Sequence, residues 1–338
     1  MSKHEPPFIL DLTATRGRPM DTLSPDEDQL ELREWTTWLR IRSDVTGFVA
    51  PTIDPDSDDV TGFVPPAFEA DGLVLLAMAR SMDDRSGEAI GLFQARLELA
   101  ELDALRRTID TTPWLDLPRP AGGYYGAPTL RINYECGTKQ ISRGFSTASG
   151  NFLEAIAPLW RLLDKAMMRA CKTAASTATL ELELASEPDD PLAVSITLRL
   201  RARGLGHVVL SDPLLSVAPG QPPRLRVRVG ELDAQCPDAD PAIYFELPIP
   251  PRTEPESPAL LLRPNARFEL RLRWRAPKPG RYLIEASWQD YLGPAEPLPG
   301  QTPFMPLFRT GPSRLGSGPY PIRGAMFATE FITLDAST

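Results

Sequence analysis

The chain has 338 residues, 42% of them hydrophobic and 24% charged, with a net charge of −9. That length exceeds one ordinary hydrophobic core and predicts two domains of soluble, globular type. The acidic balance argues against a general nucleic-acid binder, which needs a basic surface to displace counterions from phosphate.

The charge is uneven: residues 1–70 hold 14 acids against 6 bases, whereas the other 31 acids and 30 bases nearly cancel. Three scattered cysteines, Cys136, Cys171 and Cys236, fit reduced thiols better than a disulfide framework. No apolar run follows a basic start at the N-terminus, and the longest such run, Leu73 to Ala79, is far short of a membrane span. A cytoplasmic protein with no membrane association is expected. Arginine far outnumbers lysine, 31 to 5, and proline reaches 37, which points to a GC-rich bacterial genome rather than to a function.

In chain order, residues 1–23 read as a flexible arm, with Phe8-Ile9-Leu10 suited to a sheet edge. Ser24-Pro25-Asp26-Glu27 is a capping box with proline at the first helical position. It predicts a helix carrying Leu32, Trp35, Trp38 and Leu39, with a strand from Leu30 to Ile41 as the alternative. Within the acidic stretch 44–66, Asp44–Pro51 returns as Asp59–Pro66 with seven of eight positions identical. Two copies are too few for a solenoid; they read as a doubled loop or edge strand, or as a bivalent ligand for another protein. Asp54, Asp56 and Asp58 between them have calcium-loop spacing. Asp59 stands where that loop needs glycine and Pro65 where it needs a bidentate glutamate, so no metal is expected.

From Gly72 to Lys172 the pattern predicts two β-hairpins, each followed by a helix. The strands are Leu73–Arg80 with Ile90–Leu97, and Thr129–Tyr134 with Gln140–Phe145 around Cys136-Gly137-Thr138. Leu99, Leu102, Leu105 and Ile109 form the first helical stripe, closed before Pro113. Ile156, Trp160, Leu163 and Met167 form the second, with a kink or a fresh start at Pro158. Residues 24–172 thus read as an α+β domain. Residues 177–338 read as all-β, with strands at 179–184, 193–201, 208–210, 225–229, 243–247, 260–263, a central pair and 326–334.

The central pair is Ala266–Trp288. Phe268, Leu270, Leu272 and Trp274 alternate with arginines and Glu269, which is a half-buried strand with charge on its wet side. Pro277-Lys278-Pro279-Gly280 then reads as a hairpin corner returning through Tyr282, Ile284 and Ala286. Gly280-Arg281-Tyr282, opening a strand after a turn, resembles the tyrosine corner of immunoglobulin-like sandwiches. The resemblance implies an Ig-like β-sandwich for the C-terminal half. Ile284 stands where antibody domains place cysteine, which sets the chain apart from the antibody type.

Catalytic signatures are absent. Only His4 and His207 are available for acid–base work or zinc. His207, Asp212 and Cys236 carry nothing local that marks an activated thiol. Gly144–Ala148 lacks the final glycine of a nucleophile elbow, and Gly122–Gly126 lacks the lysine of a phosphate loop. No cofactor is implied.

Two features suggest binding. Arg199, Arg201 and Arg203, Arg224, Arg226 and Arg228, and Arg267, Arg271, Arg273 and Arg275 each share strand parity. Cross-strand pairing with Glu181, Glu183, Glu269 and Glu285 is the ordinary reading, an anionic-ligand groove the sharper one. The segment 289–324 is long for a connection and carries Tyr291, Phe304, Met305, Phe308, Arg309, Arg314 and Tyr320, residue types that dominate interface hot spots. The expectation is a non-enzymatic protein-binding factor, of the immunity, adaptor or assembly kind, acting through that loop. The alternatives are a hydrolase or transferase using carboxylates or Cys136 in the α+β domain, and a structural subunit of a larger assembly.

Overall fold

The computed structural model describes residues 6–15, 36–43, 72–78, 89–114, 116–117, 129–146, 156–204, 206–215, 223–233, 241–250, 259–294 and 322–335. Two compact units divide the chain. The first holds residues 1–78 and 92–175, the second residues 79–91 and 176–338.

The first unit contains β1 (Phe8–Thr15), β2 (Thr36–Arg42), β3 (Gly72–Met78), most of β4 (Ala89–Leu97), α1 (Leu99–Thr111), β5 (Thr129–Cys136), β6 (Lys139–Ser146) and α2 (Ala157–Ala170). Its strands run β3-β2-β1-β5-β6, every neighbouring pair antiparallel. In β1 the period-two residues Phe8, Leu10 and Leu12 are all buried. Asp11, on the other face, lies directly opposite Arg40 of β2 and accepts two bonds from its guanidinium, at 2.6 and 2.8 Å. That fork-to-fork pairing fixes register as well as charge. Strand β3, GLVLLAM, is buried at every position, as a strand covered on both faces must be.

Helix α1 buries Leu102, Leu105 and Ile109, while Leu99 at its start stays exposed. It stops at Thr112, whose backbone is extended ahead of Pro113, because proline disfavours helical geometry in the residue before it. Helix α2 starts at Ala157 with Pro158 in its first turn and does not bend there, since a first-turn proline loses no intrahelical bond. Glu101 ties the helices together. It accepts from the Glu98 backbone N–H at 3.1 Å and pairs with Arg169 at 2.6 Å and Lys165 at 3.0 Å.

Burial alone would raise the Glu101 pKa, but the Arg169 and Lys165 bonds outweigh it and hold the carboxyl at about 2, below an ordinary 4.5. A depressed carboxylate stabilises the fold above its unfolded pKa. That contribution is lost as pH falls from about 4.5 towards 2. Glu101→Gln, which keeps the acceptor for the cap, is expected to cost about 1–3 kcal/mol at pH 7, the pKa shift being discounted for partial exposure. Denaturant melts of both proteins should converge at pH 2; a constant difference from pH 7 to pH 2 contradicts this.

These findings correct the expected α+β domain of independent hairpin–helix units. Among the described residues strand predominates, 62% against 15% helix, with two helices. Residues 8–15, placed in a flexible arm, form a strand paired on both sides. Trp38 and Leu39, assigned to a helix, lie on β2; the proposed cap at Ser24 falls outside the described residues. The second hairpin forms as expected, around Gly137 at φ +57°. It extends a common sheet through β1 instead of standing apart.

The second unit contains β7 (Ala174–Glu187) from Ser176 on, β8 (Asp190–Gly204), β9 (Val208–Ser211), β10 (Leu225–Glu231), β11 (Tyr244–Glu246), β12 (Ala259–Leu262), β13 (Arg267–Arg275), β14 (Gly280–Pro294) and β15 (Ile322–Leu334). One layer runs β7-β8-β13. The other runs β11-β10-β14-β9-β12, with β15 also paired to β14. The expected β13–β14 hairpin does not form: β13 pairs with β8, and β14 with β10, β9 and β15. Pro277 and Pro279 supply no ladder donors, and the corner carries the chain from one sheet to the other. The inner faces meet where Trp274 stands edge-on to Tyr282, ring centroids 5.0 Å apart. Tyr282 Oη donates to the Lys278 carbonyl at 2.8 Å, the local bond that a tyrosine corner makes.

Candidate functional site

The outer face of β7, β8 and β13 is built by strand parity. Inward residues Ile196, Leu198 and Leu200 are buried, which turns Arg199, Arg201 and Arg203 outward. The expected carboxylate pairing is present. Arg199 bridges Glu183 and Glu269, and Arg203 reaches Glu181. Glu269 also takes Arg271 at 2.8 Å, while Arg273 pairs with Glu187 and Arg275 with Asp190, each at 2.8 Å. Bonds from Arg199 and Arg271 hold the Glu269 carboxyl below its usual range. Arg201 and Arg267 lie directly opposite each other in register. Arg267 also reaches Glu269 at 3.7 Å, which offsets the repulsion between the two guanidinium groups.

The second sheet presents a different surface. Arg228 pairs with Glu285 at 2.7 Å and lies over the Tyr244 ring, whose hydroxyl donates to Glu285 at 3.0 Å. Ile243 and Phe245 beside β10, Leu261 on β12 and Phe331 on β15 are exposed, Phe245 by 64% and Phe331 by 54%. Arg281 sits 5.0 Å over the Phe331 ring. These apolar residues were not singled out from sequence. For Ile243 and Phe245 the signal is the proline bracket Pro241, Pro248 and Pro250 around a three-residue strand, which marks an edge strand whose side chains lack a neighbour.

Of the loop residues proposed from sequence, Tyr291 belongs to β14 and pairs with Arg323. Phe304, Met305, Phe308, Arg309, Arg314 and Tyr320 lie outside the described residues. The expected loop 289–324 is shorter, because 289–292 and 322–325 are paired strand. The duplicated 44–66 stretch and Cys236 also lie outside the described residues.

The residues considered for chemistry have structural partners. The Asp212 carboxylate caps the Leu214 N–H at 2.9 Å, and the His207 carbonyl accepts from Ser176 Oγ at 2.7 Å. The Cys136 thiol donates to the Pro6 carbonyl at 3.5 Å. Burial first, then Cys136, pushes the neighbouring Tyr134 hydroxyl far above its ordinary pKa, so it stays protonated. Among the described residues no group of three or more His, Cys, Asp or Glu is placed to hold a metal, and no helix is long and apolar enough to cross a membrane. Comparison with protein-family models, curated proteins and solved structures finds no match to this chain.

Proposed function

We propose that the protein is a non-enzymatic, cytoplasmic binding factor of the immunity, adaptor or assembly kind, whose partner docks on the second sheet of the second unit. One observation carries this reading: Leu261 and Phe331, which share a face of that sheet, and Phe245 at its β11 edge are large apolar side chains left exposed. Aromatic side chains with a neighbouring arginine, as in Phe331 under Arg281, are the residue types that concentrate binding energy at interfaces. The β14–β15 hairpin on the same sheet also leads into the segment that holds Phe304, Phe308 and Arg309.

The test is affinity capture from native-host lysate with the tagged full-length chain. Phe245→Asp with Phe331→Asp forms one variant, and Tyr291, Phe304, Phe308 and Arg309 changed to Ala a second. Loss of a captured protein in the first variant, with its melting temperature preserved, supports the sheet. Retention of every captured protein in both variants overturns the proposal.

A further inference from the structure

Strand β13 ends its sheet: it pairs with β8 along all nine residues, and among the described residues nothing pairs with its other side. Which of its backbone groups face that open side follows from two flanking bonds. Ala202 N–H donates to the Ala266 carbonyl and Ala276 N–H to the Leu192 carbonyl. In an antiparallel ladder hydrogen-bonded pairs alternate, so the even-numbered residues of β13 bond to β8. The N–H and C=O groups of Arg267, Glu269, Arg271, Arg273 and Arg275 therefore point to the open edge.

Four of those five residues carry cations, each also paired with Glu269, Glu187 or Asp190. The Arg271 side chain is 74% exposed, and those of Arg273 and Arg275 are each 66% exposed. Phe268, Leu270, Leu272 and Trp274, on the inner face, are only half-buried, and among the described residues no further strand lies beside them. The strand has no proline, no lysine and no bulge along its register, three of the devices that close edges to other chains.

We infer that β13 is a strand-addition site for an extended acidic segment of a partner protein. A strand joining this edge forms hydrogen-bonded pairs with the odd-numbered residues, and paired residues project to the same face. Acidic side chains at every second position thus stand against Arg271, Arg273 and Arg275, while the apolar residues between them cover Leu270, Leu272 and Trp274. Main-chain bonds supply affinity and the charge row supplies selection. This edge lies on the other sheet from the surface of the proposed function, and its test does not depend on that surface.

The probe is a labelled synthetic peptide as long as β13, alternating Glu with Val or Thr, titrated into the full-length chain at about 0.1 M salt. Controls carry Lys for Glu, or the same composition with all glutamates gathered at one end. The alternating acidic peptide is expected to bind at least about tenfold more tightly than either control. R271E with R273E should weaken it by at least about tenfold, and R271Q with R273Q should do so without reversing the charge. Arg271→Pro removes a donor that β8 does not use, so it should block the peptide while leaving the melt near that of the parent. No saturable binding, equal binding of the lysine or blocked peptide, or unchanged affinity in the Gln pair overturns the inference.

Discussion

Gly91→Ala is expected to destabilise the protein by about 3 kcal/mol or more, read as a fall in the denaturant midpoint with an unchanged slope. Gly91 has φ +121°, a backbone conformation in which a side chain is strained. Space is also lacking. A Cβ placed there lies 2.6 Å from the Ser176 carbonyl oxygen and 3.0 Å from Thr177 Cα, both main-chain atoms. Backbone cannot rotate away as a side chain does, so the strand itself must shift. Gly72 makes the useful contrast: its added Cβ meets only the end of the Leu102 side chain, at 2.5 Å. Repacking of Leu102 is available, and Gly72→Ala should cost less. Equal losses at the two positions would refute this account.

Trp288→Ala should cost about 3–5 kcal/mol, the range for emptying a buried aromatic site. Trp288 is fully buried on β14, between Leu225 of β10 and Met326 of β15. Among the described residues its buried indole N–H has no hydrogen-bond partner. That donor is desolvated with nothing in return, which offsets part of what the ring contributes. Trp288→Phe keeps most of the apolar volume and removes the orphan donor, and is therefore expected to cost less than half as much as the alanine variant, roughly 1–2 kcal/mol. Thermal melts of the pair decide it. A phenylalanine variant as unstable as the alanine variant would mean that the N–H has a partner after all.

Local pattern made the strands of the second unit legible. Each expected segment, from 179–184 to 326–334, lies within or overlaps an observed strand, because period-two alternation is a property of adjacent residues. The two helices and their ends were legible for the same reason: Pro113 and Pro158 act on their own neighbours. What failed was partner choice. Phe8–Thr15 is eight residues long, and its neighbours β2 and β5 are set by contacts across distant parts of the chain. Trp38 and Leu39 fit a helical stripe by spacing, and pairing of β2 with β1 and β3 placed them on a strand instead. The surface on the second sheet was missed because exposure of Phe245 and Phe331 depends on which strands flank them.

From residue 72 onward, sequence alone determined which described segments extend, which coil into helix, and that the arginine rows face opposite the apolar ones, since each follows from dihedral preference and side-chain period over a few residues. Only the tertiary structure decided that Pro277–Gly280 passes between sheets instead of closing a hairpin, and that β1 runs between two strands rather than trailing in solvent. It also left β13 with one edge unpaired among the described residues. Strand pairing joins backbone groups that are alike in every residue, so the choice of partner rests on long-range burial and register, which no local pattern contains.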